Sequence, residues 1–272
     1  TPVPSSAASD VYKRQIEIIE NDAVIRTYTS DKLKKFVSWS GGPSPEIILP
    51  NKEGHNRVHW DFRRASIPAV DKVFVYGSYA GSRVAPGNFK ARLSYGEVQK
   101  ETQITLLPNP NIEATTADFD AQQKLLVKID SALSNIHSSV NQMRNIQAQL
   151  QFYIKTLKGN QTYAPLIEKA KDIEKKLVDW ETNLIQPNQK TFQDVINFNN
   201  KLNAEWMYLK GFVDSEFPKV TQGSKDRFKD LLAKWKNHHK ELTVLIEDEF
   251  SAFETLFKSM EVPALLIPEL ID

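Results

Sequence analysis

The pattern of apolar and polar positions divides the chain into two parts with different periods. Over residues 16–107, short β-branched runs alternate with turn residues, which predicts short antiparallel strands. IEIIENDAVIRTYTS predicts a hairpin about Asn21-Asp22, and a second strand pair is predicted about Tyr95-Gly96. GHNRVHWDF and KVFVYGSY predict two more strands. We therefore expect an antiparallel Ig-like β-sandwich over residues 16–107.

After residues 108–115, a Pro-rich linker, the period becomes helical. Apolar residues three and four apart form one seam that ends at Gly159-Asn160, which predicts a helix of about 40 residues capped by Thr115 or Thr116. Three more seams predict an antiparallel four-helix bundle over residues 116–262, the last helix being capped by Ser224. Its third and fourth seams are Phe192, Val195, Leu202, Trp206, Leu209 and Val213, then Phe228, Leu231, Trp235, Leu242, Ile246, Phe250, Phe253, Phe257 and Met260.

The two ends of the chain fit neither period. Residues 1–15, TPVPSSAASDVYKRQ, resemble the in-frame translation of sequencing-adapter DNA, and the alternative is a natural disordered leader. On the first interpretation the native gene begins upstream. Residues 263–272 form an apolar tail in which Pro263 and Pro268 prevent a continuing helix. We expect this tail to pack on the bundle or on the sandwich.

The composition excludes several classes of function. Lys plus Arg number 35 and Asp plus Glu 34, so the chain has no electrostatic signature for nucleic acid or an anionic membrane. The absence of cysteine excludes disulfides, thiolate zinc sites and a cysteine nucleophile. No apolar run approaches the roughly 18 residues of a membrane span.

The stretch NKEGHNRVHWDFRR, residues 51–64, concentrates the candidate chemistry. A period of two puts Val58, Trp60 and Phe62 on one face, which we interpret as the core face with Trp60 as its anchor. The polar side chains then face solvent or a neighbouring strand, a setting that does not tune a catalytic pKa. The polar candidates are His55, His59, Asp61, Arg63 and Arg64. A surface role is therefore predicted for His55, His59 and Arg63, and Asp61 could pair with Arg63 across the sheet.

Other candidate sites have structural explanations. His238 and His239 point about 100° apart on a helix, which disfavours a shared metal. His137 lies beside the seam residue Ile136 and is interpreted as a boundary position. Acidic residues alternate with lysines on helix faces instead of flanking a sugar-sized cleft. We predict no catalytic, cofactor or metal residue, and a core role for three seam tryptophans, Trp180, Trp206 and Trp235.

Two short motifs resemble an Ig-like module of the flagellar-hook-capping type. Its pattern is a G-x-N-x-x-x-W-D strand followed by a P-G-x-Y/F strand, which GHNRVHWDFR and APGNFKARL match. Phenylalanine replaces the commoner tyrosine in the second strand. The matching residues, predicted to be structural, are Gly54, Asn56, Trp60, Asp61, Pro86, Gly87 and Phe89.

The wider order of motifs over residues 16–267 resembles the C-terminal region of exported bacterial proteins built on sortilin-like β-propellers. Those proteins carry Asp-box (bacterial neuraminidase) repeats and are often labelled glycosyl hydrolases. The resemblance implies a non-catalytic region of a larger exported protein, with the upstream propeller as its partner. The Asp-box pattern S-x-D-x-G-x-x-W is absent from this chain, so any such activity would lie upstream.

Two other functions stay open. The chain could line the cleft of a glycoside hydrolase or peptidase-like enzyme, or it could be an independent adhesion or oligomerisation module. A contiguous exposed apolar patch on the helices would favour the second of these.

Overall fold

The computed structural model describes residues 14–31, 37–50 and 52–263, and it places a β-sheet before a set of α-helices. This order confirms the expectation of a β-part followed by an α-part. The predicted leader up to residue 13 and the tail from residue 264 lie outside the described residues. Arg14 and Gln15, which the sequence analysis assigned to the leader, belong to the first strand.

The sheet is antiparallel and has four strands in the order β2-β1-β3-β4. Asn21 and Asp22 both have positive φ, 48° and 62°, which is the two-residue turn predicted for the first hairpin. Gly96, with φ 56°, turns the second predicted hairpin. The strands are β1 (Arg14–Glu20), β2 (Ala23–Thr29), β3 (Gly87–Tyr95) and β4 (Val98–Leu106).

The two faces of the sheet differ in chemistry. One face buries Ile18, Tyr28 and Phe89 against side chains from the coil segments, including Leu49 and Val84. The other face carries a charged row across three strands. In that row Arg92 pairs with Glu17 of β1 and Glu101 of β4 at 3.4 and 2.8 Å. The apolar face therefore supplies the core of this part of the molecule.

The two strands predicted over GHNRVHWDF and KVFVYGSY are absent from the described sheet. Alternation of burial holds from Asn56 to Trp60, but Phe62 has φ 56° and is 46% exposed, so its predicted core position is wrong. Residues 73–79 also lack strand structure, and Val73 and Val75 pack against the helices. Their backbone hydrogen bonds go to loops and side chains instead of a regular ladder.

The helices begin after residues 107–115, which contain no helix or strand. Thr115 caps the first helix in a capping box with Asp118, as expected for one of the two predicted threonines. The long first helix and the second helix match their seams. The α-helices of the described chain are α1 (Thr116–Thr156), α2 (Ala164–Leu184), α3 (Leu202–Val213), α4 (Gln222–Val244) and α5 (Ser251–Ser259).

The third and fourth helices differ from prediction. Residues Phe192–Ile196 form a separate 3-10 turn, and Phe192 and Val195 are 59% and 41% exposed. Thr221 caps α4, so the expected Ser224 cap is wrong. A π-turn between α4 and α5 adds one residue to the turn, which leaves the predicted seam residue Ile246 exposed.

One apolar core holds the helices together. Trp180, Trp206 and Trp235 are at most 5% exposed, which confirms their predicted place in the core. Antiparallel contacts join α1 to α2, where Arg144 pairs with Glu181 at 2.5 Å. Within the ranges that the structure describes, every helix is too short or too polar to span a bilayer.

Candidate functional site: the joint between sheet and helices

Residues 63–84, which we call the joint segment, connect the sheet to the helices. The segment contains no regular helix or strand, apart from a single bridge between Arg63 and Arg83. Several of its side chains are nevertheless deeply buried, since Val70, Val75 and Tyr79 are each at most 3% exposed. Buried backbone groups need hydrogen-bond partners, and this segment has no ladder to supply them.

The first partners are backbone groups of the segment itself and of β2. Arg64 N donates to Ser82 O at 3.0 Å, and Ile67 N donates to Tyr79 O at 2.8 Å. Ala65 N donates to Ile25 O of β2 at 2.7 Å. These bonds fold the segment into an irregular hairpin that extends the edge of the sheet.

The second group of partners is a row of polar side chains on α1, which we call the polar stripe. Four of them recur every seven residues, so they lie along one side of the helix beside its apolar seam. Each one bonds to the backbone of the joint segment. The polar stripe consists of Gln123, Asp130, His137, Asn141 and Arg144.

The N-terminal half of the stripe holds the end of the joint segment. Gln123 Nε2 donates to Arg83 O at 2.8 Å, and Asp130 Oδ2 accepts from Ser82 N at 3.1 Å. Ser82 is fully buried. The two contacts therefore satisfy the buried amide of Ser82 and the carbonyl group of the next residue, Arg83.

The C-terminal half of the stripe holds residues 68–71. The Nδ1 atom of His137, the Nδ2 of Asn141 and the Nη1 of Arg144 each lie 2.8 Å from a carbonyl oxygen. Arg144 also pairs with Glu181, so it ties the joint segment to α2 as well. The three acceptors are the carbonyl groups of Pro68, Ala69 and Asp71.

A buried ionic cluster at the end of α3 completes the joint. Asp214 accepts from Arg63 Nη1 at 2.6 Å and from Arg83 N at 3.0 Å. Lys210, only 3% exposed, lies 3.6 Å from Asp214 and donates to Ala80 O at 2.8 Å. Each charge is thus paired and hydrogen-bonded, which is the condition for burying it.

Burial shifts the pKa of two stripe residues away from their ordinary values. It raises the pKa of Asp130, an effect that the hydrogen bond from Ser82 and the charge of Lys210 oppose. It lowers the pKa of His137 to about 4, against the effect of the Pro68 carbonyl. His137 is therefore neutral at pH 7, and its Nδ1–H can donate to Pro68 O.

The motif residues that carry the family resemblance take local structural positions. Trp60 donates from Nε1 to Arg63 O at 2.9 Å and meets Phe89 edge-on, with ring centroids 5.2 Å apart. Asn56 closes a turn by donating from Nδ2 to Lys52 O, and Asp61 accepts from Arg63 N at 3.2 Å. The remaining three lie in a turn or at the start of β3: Gly54, Pro86 and Gly87.

The polar residues of the stretch 51–64 lie in different environments in the structure. His55 and His59 are exposed, as predicted. The surface role predicted for Arg63 is wrong, because its guanidinium pairs with Asp214 of the distant α3. Arg64 pairs with Glu20 of β1 at 2.7 Å. The two arginines therefore tie the joint to both parts of the molecule.

A polar pocket of about 370 Å³ beside the joint is the best candidate for chemistry, and two of its charged groups, Arg26 and Glu46, pair with each other. Arg26, 8% exposed, donates to Glu46 at 2.7 Å and to Ser66 at 3.0 Å. Asp61 at its rim is engaged with Arg63 N. Among the described residues, no three acidic, histidine or cysteine side chains are grouped to bind a metal.

Sequence reasoning missed the polar stripe. His137 was interpreted as a boundary residue, whereas it is fully buried and bonded to the joint segment. A signal was present: Gln123, Asp130, His137 and Arg144 keep a seven-residue period along one helix. Asp214 and Lys210 gave no such signal, because their partners in the joint segment, Arg63, Arg83 and Ala80, are more than 100 residues away.

Asn141→Ala tests the stripe against a matched control on the same helix. The variant leaves the Ala69 carbonyl without its donor, so we expect the free energy of unfolding to fall by about 1–2 kcal/mol. Asn145→Ala, four residues on and exposed, makes the same change in helix propensity and should stay within about 0.5 kcal/mol. Urea denaturation measures both, and equal effects would show that the Ala69 contact is immaterial.

His137 predicts a loss of stability in mild acid. In the unfolded chain the imidazole of His137 binds a proton near pH 6.5, whereas in the folded chain it does so only near pH 4. Stability should therefore fall through this window by about 2–4 kcal/mol more in the wild type than in His137→Gln. The measurement is urea unfolding of both proteins from pH 7 to pH 4. A difference between them that stays constant with pH would contradict the assignment.

No protein-family model matches the chain, and no curated protein or solved structure is significantly similar to it. The joint is therefore interpreted from its own geometry.

Proposed function

We propose that this chain is a non-catalytic structural region of a larger exported bacterial protein, lying C-terminal to a β-propeller. The observation that carries the proposal is the joint segment. It bonds to β2 through Ala65 and to α1 and α3 through the polar stripe and Asp214. Sheet and helices joined in this way would move as one body, which suits a region that buttresses or spaces a neighbouring domain.

The proposal includes an Ig-like β-sandwich and an antiparallel four-helix bundle. Coil residues Leu49, Val58 and Trp60 lie over the apolar face of the sheet, where the second layer of a sandwich would be. On the helical side, the Gln151–Glu174 hydrogen bond supports an antiparallel α1–α2 pair. The bond from Trp180 Nε1 to His238 O supports an α2–α4 pair.

The absence of catalysis is supported by what the motif residues do. Trp60, Asp61 and Phe89 are engaged in packing or turn contacts, and Arg63 is held in an ion pair with Asp214. The propeller partner and the exported location come from the family resemblance alone.

A second candidate is an adhesion or oligomerisation module. It is favoured by aromatic side chains on the helical surface, since Tyr208, Phe212 and Phe217 are all more than 60% exposed.

Genomic DNA upstream of the codon for Ile16 tests the proposal. We expect an in-frame β-propeller with Asp-box repeats. The chain itself should then give no turnover on a panel of glycosides, because Arg26 and Glu46 of its polar pocket pair with each other and Asp61 accepts from a backbone amide. Turnover that Asp61→Asn abolishes would contradict the non-catalytic assignment, and an upstream frame without a propeller would contradict the partner.

A further inference from the structure

Helix α3 is apolar on two sides. Its inner side buries Trp206, Leu209 and Val213 in the helical core. On a second side Tyr208 and Phe212 are 69% and 62% exposed, with ring centroids 6.1 Å apart. A helix on the surface of a globular protein ordinarily turns a polar side to water, so this second apolar side indicates a further contact.

Gly211 lies on the same outer side. It sits inside α3, where glycine destabilises a helix relative to alanine. No heavy atom of the described chain comes within 4 Å of a Cβ built at this position, so the fold itself gives no steric reason for glycine. The backbone of another molecule that crosses close to α3 gives a steric reason for glycine at this position. We call Glu205, Tyr208, Gly211 and Phe212 the outer face of α3.

We propose that the outer face of α3 binds the same face of a second copy of this chain, with the two helices crossing at Gly211. The inference rests on the second candidate function, oligomerisation, and does not depend on the first. The groove beside the face, about 540 Å³, contains one acid and one base, Glu205 and Arg227, paired at 3.1 Å. A surface with one positive and one negative charge does not repel an identical surface. The net charge of +1 also gives little electrostatic repulsion between two copies of the chain.

The area of the face gives the size class of the interface. An aromatic side chain buries roughly 150–250 Å². At the observed exposures, the two rings of each copy would together bury about 500 Å² across the dimer. Polar residues around the groove add to this, towards the roughly 1,200 Å² at the lower limit of specific interfaces. The dimer is therefore weak and reversible.

Sedimentation equilibrium of the full chain over a wide range of concentration tests the proposal. The wild type should show a monomer–dimer equilibrium. Phe212→Ser should raise the dissociation constant about tenfold or more, whereas Phe152→Ser, at a 56% exposed aromatic on α1, should leave it unchanged. A wild type that stays monomeric throughout overturns the proposal, as does a dimer that Phe212→Ser does not weaken.

Gly211 gives a test that separates dimerisation from folding. Gly211→Ala should raise the melting temperature of the monomer while weakening the dimer, a combination that a folding defect cannot produce. Because the chain has no cysteine, Gly211→Cys should form a disulfide-linked dimer on mild oxidation, and Phe152→Cys should not. Equal cross-linking of the two cysteine variants, or an undiminished Gly211→Ala dimer, counts against a crossing at Gly211.

Discussion

The backbone of residues 63–84 sets the constraint on which the rest of the structure depends. Much of this segment is buried between sheet and helices, yet it has almost no regular secondary structure to satisfy its amide and carbonyl groups. An unsatisfied buried polar group costs about 1–3 kcal/mol. Apart from bonds within the segment and to β2, the partners come from α1 and from the end of α3, so the joint segment can be buried only where these helices are in place.

This dependence explains features that are otherwise unconnected. The length of α1 allows one polar stripe to reach from Arg83 at one end to Asp71 at the other. The buried Asp214 pairs with Arg63 and with Lys210, and both Asp214 and Lys210 also bond to backbone groups of the joint segment. The sheet contributes through β2 and through Glu20, which pairs with Arg64. The two parts of the chain are thus joined by specific polar contacts as well as by apolar packing.

The elements built from local signals were predictable from sequence. Both hairpins follow from their turns, and α1 and α2 follow from their apolar periods and end signals. The prediction was wrong where distant partners decide the structure. Alternation at Val58, Trp60 and Phe62 resembles a strand, but Phe62 adopts a positive φ as the chain turns into the joint segment. Ile246 lies outside the core because a π-turn shifts the helical period of the apolar residues by one residue.

Site prediction was limited for the same reason. Sequence reasoning identified Trp60 and Phe89 as structural, because their apolar character is visible in the pattern. It gave Arg63 a surface role, because nothing near Arg63 in the sequence announces Asp214 as its partner. A buried charge is decided by the pairing that tertiary structure brings, which local periodicity does not encode.

Native-state hydrogen exchange of the joint segment tests the central claim most directly. The amides of Arg64, Ile67, Ser82 and Arg83 donate within the joint. If the joint depends on the helices as described, these amides should exchange only through the same large unfolding that exposes the core amides of α1. Rapid exchange at these four positions while α1 stays protected would contradict the account, because it would show that the segment opens without the helices.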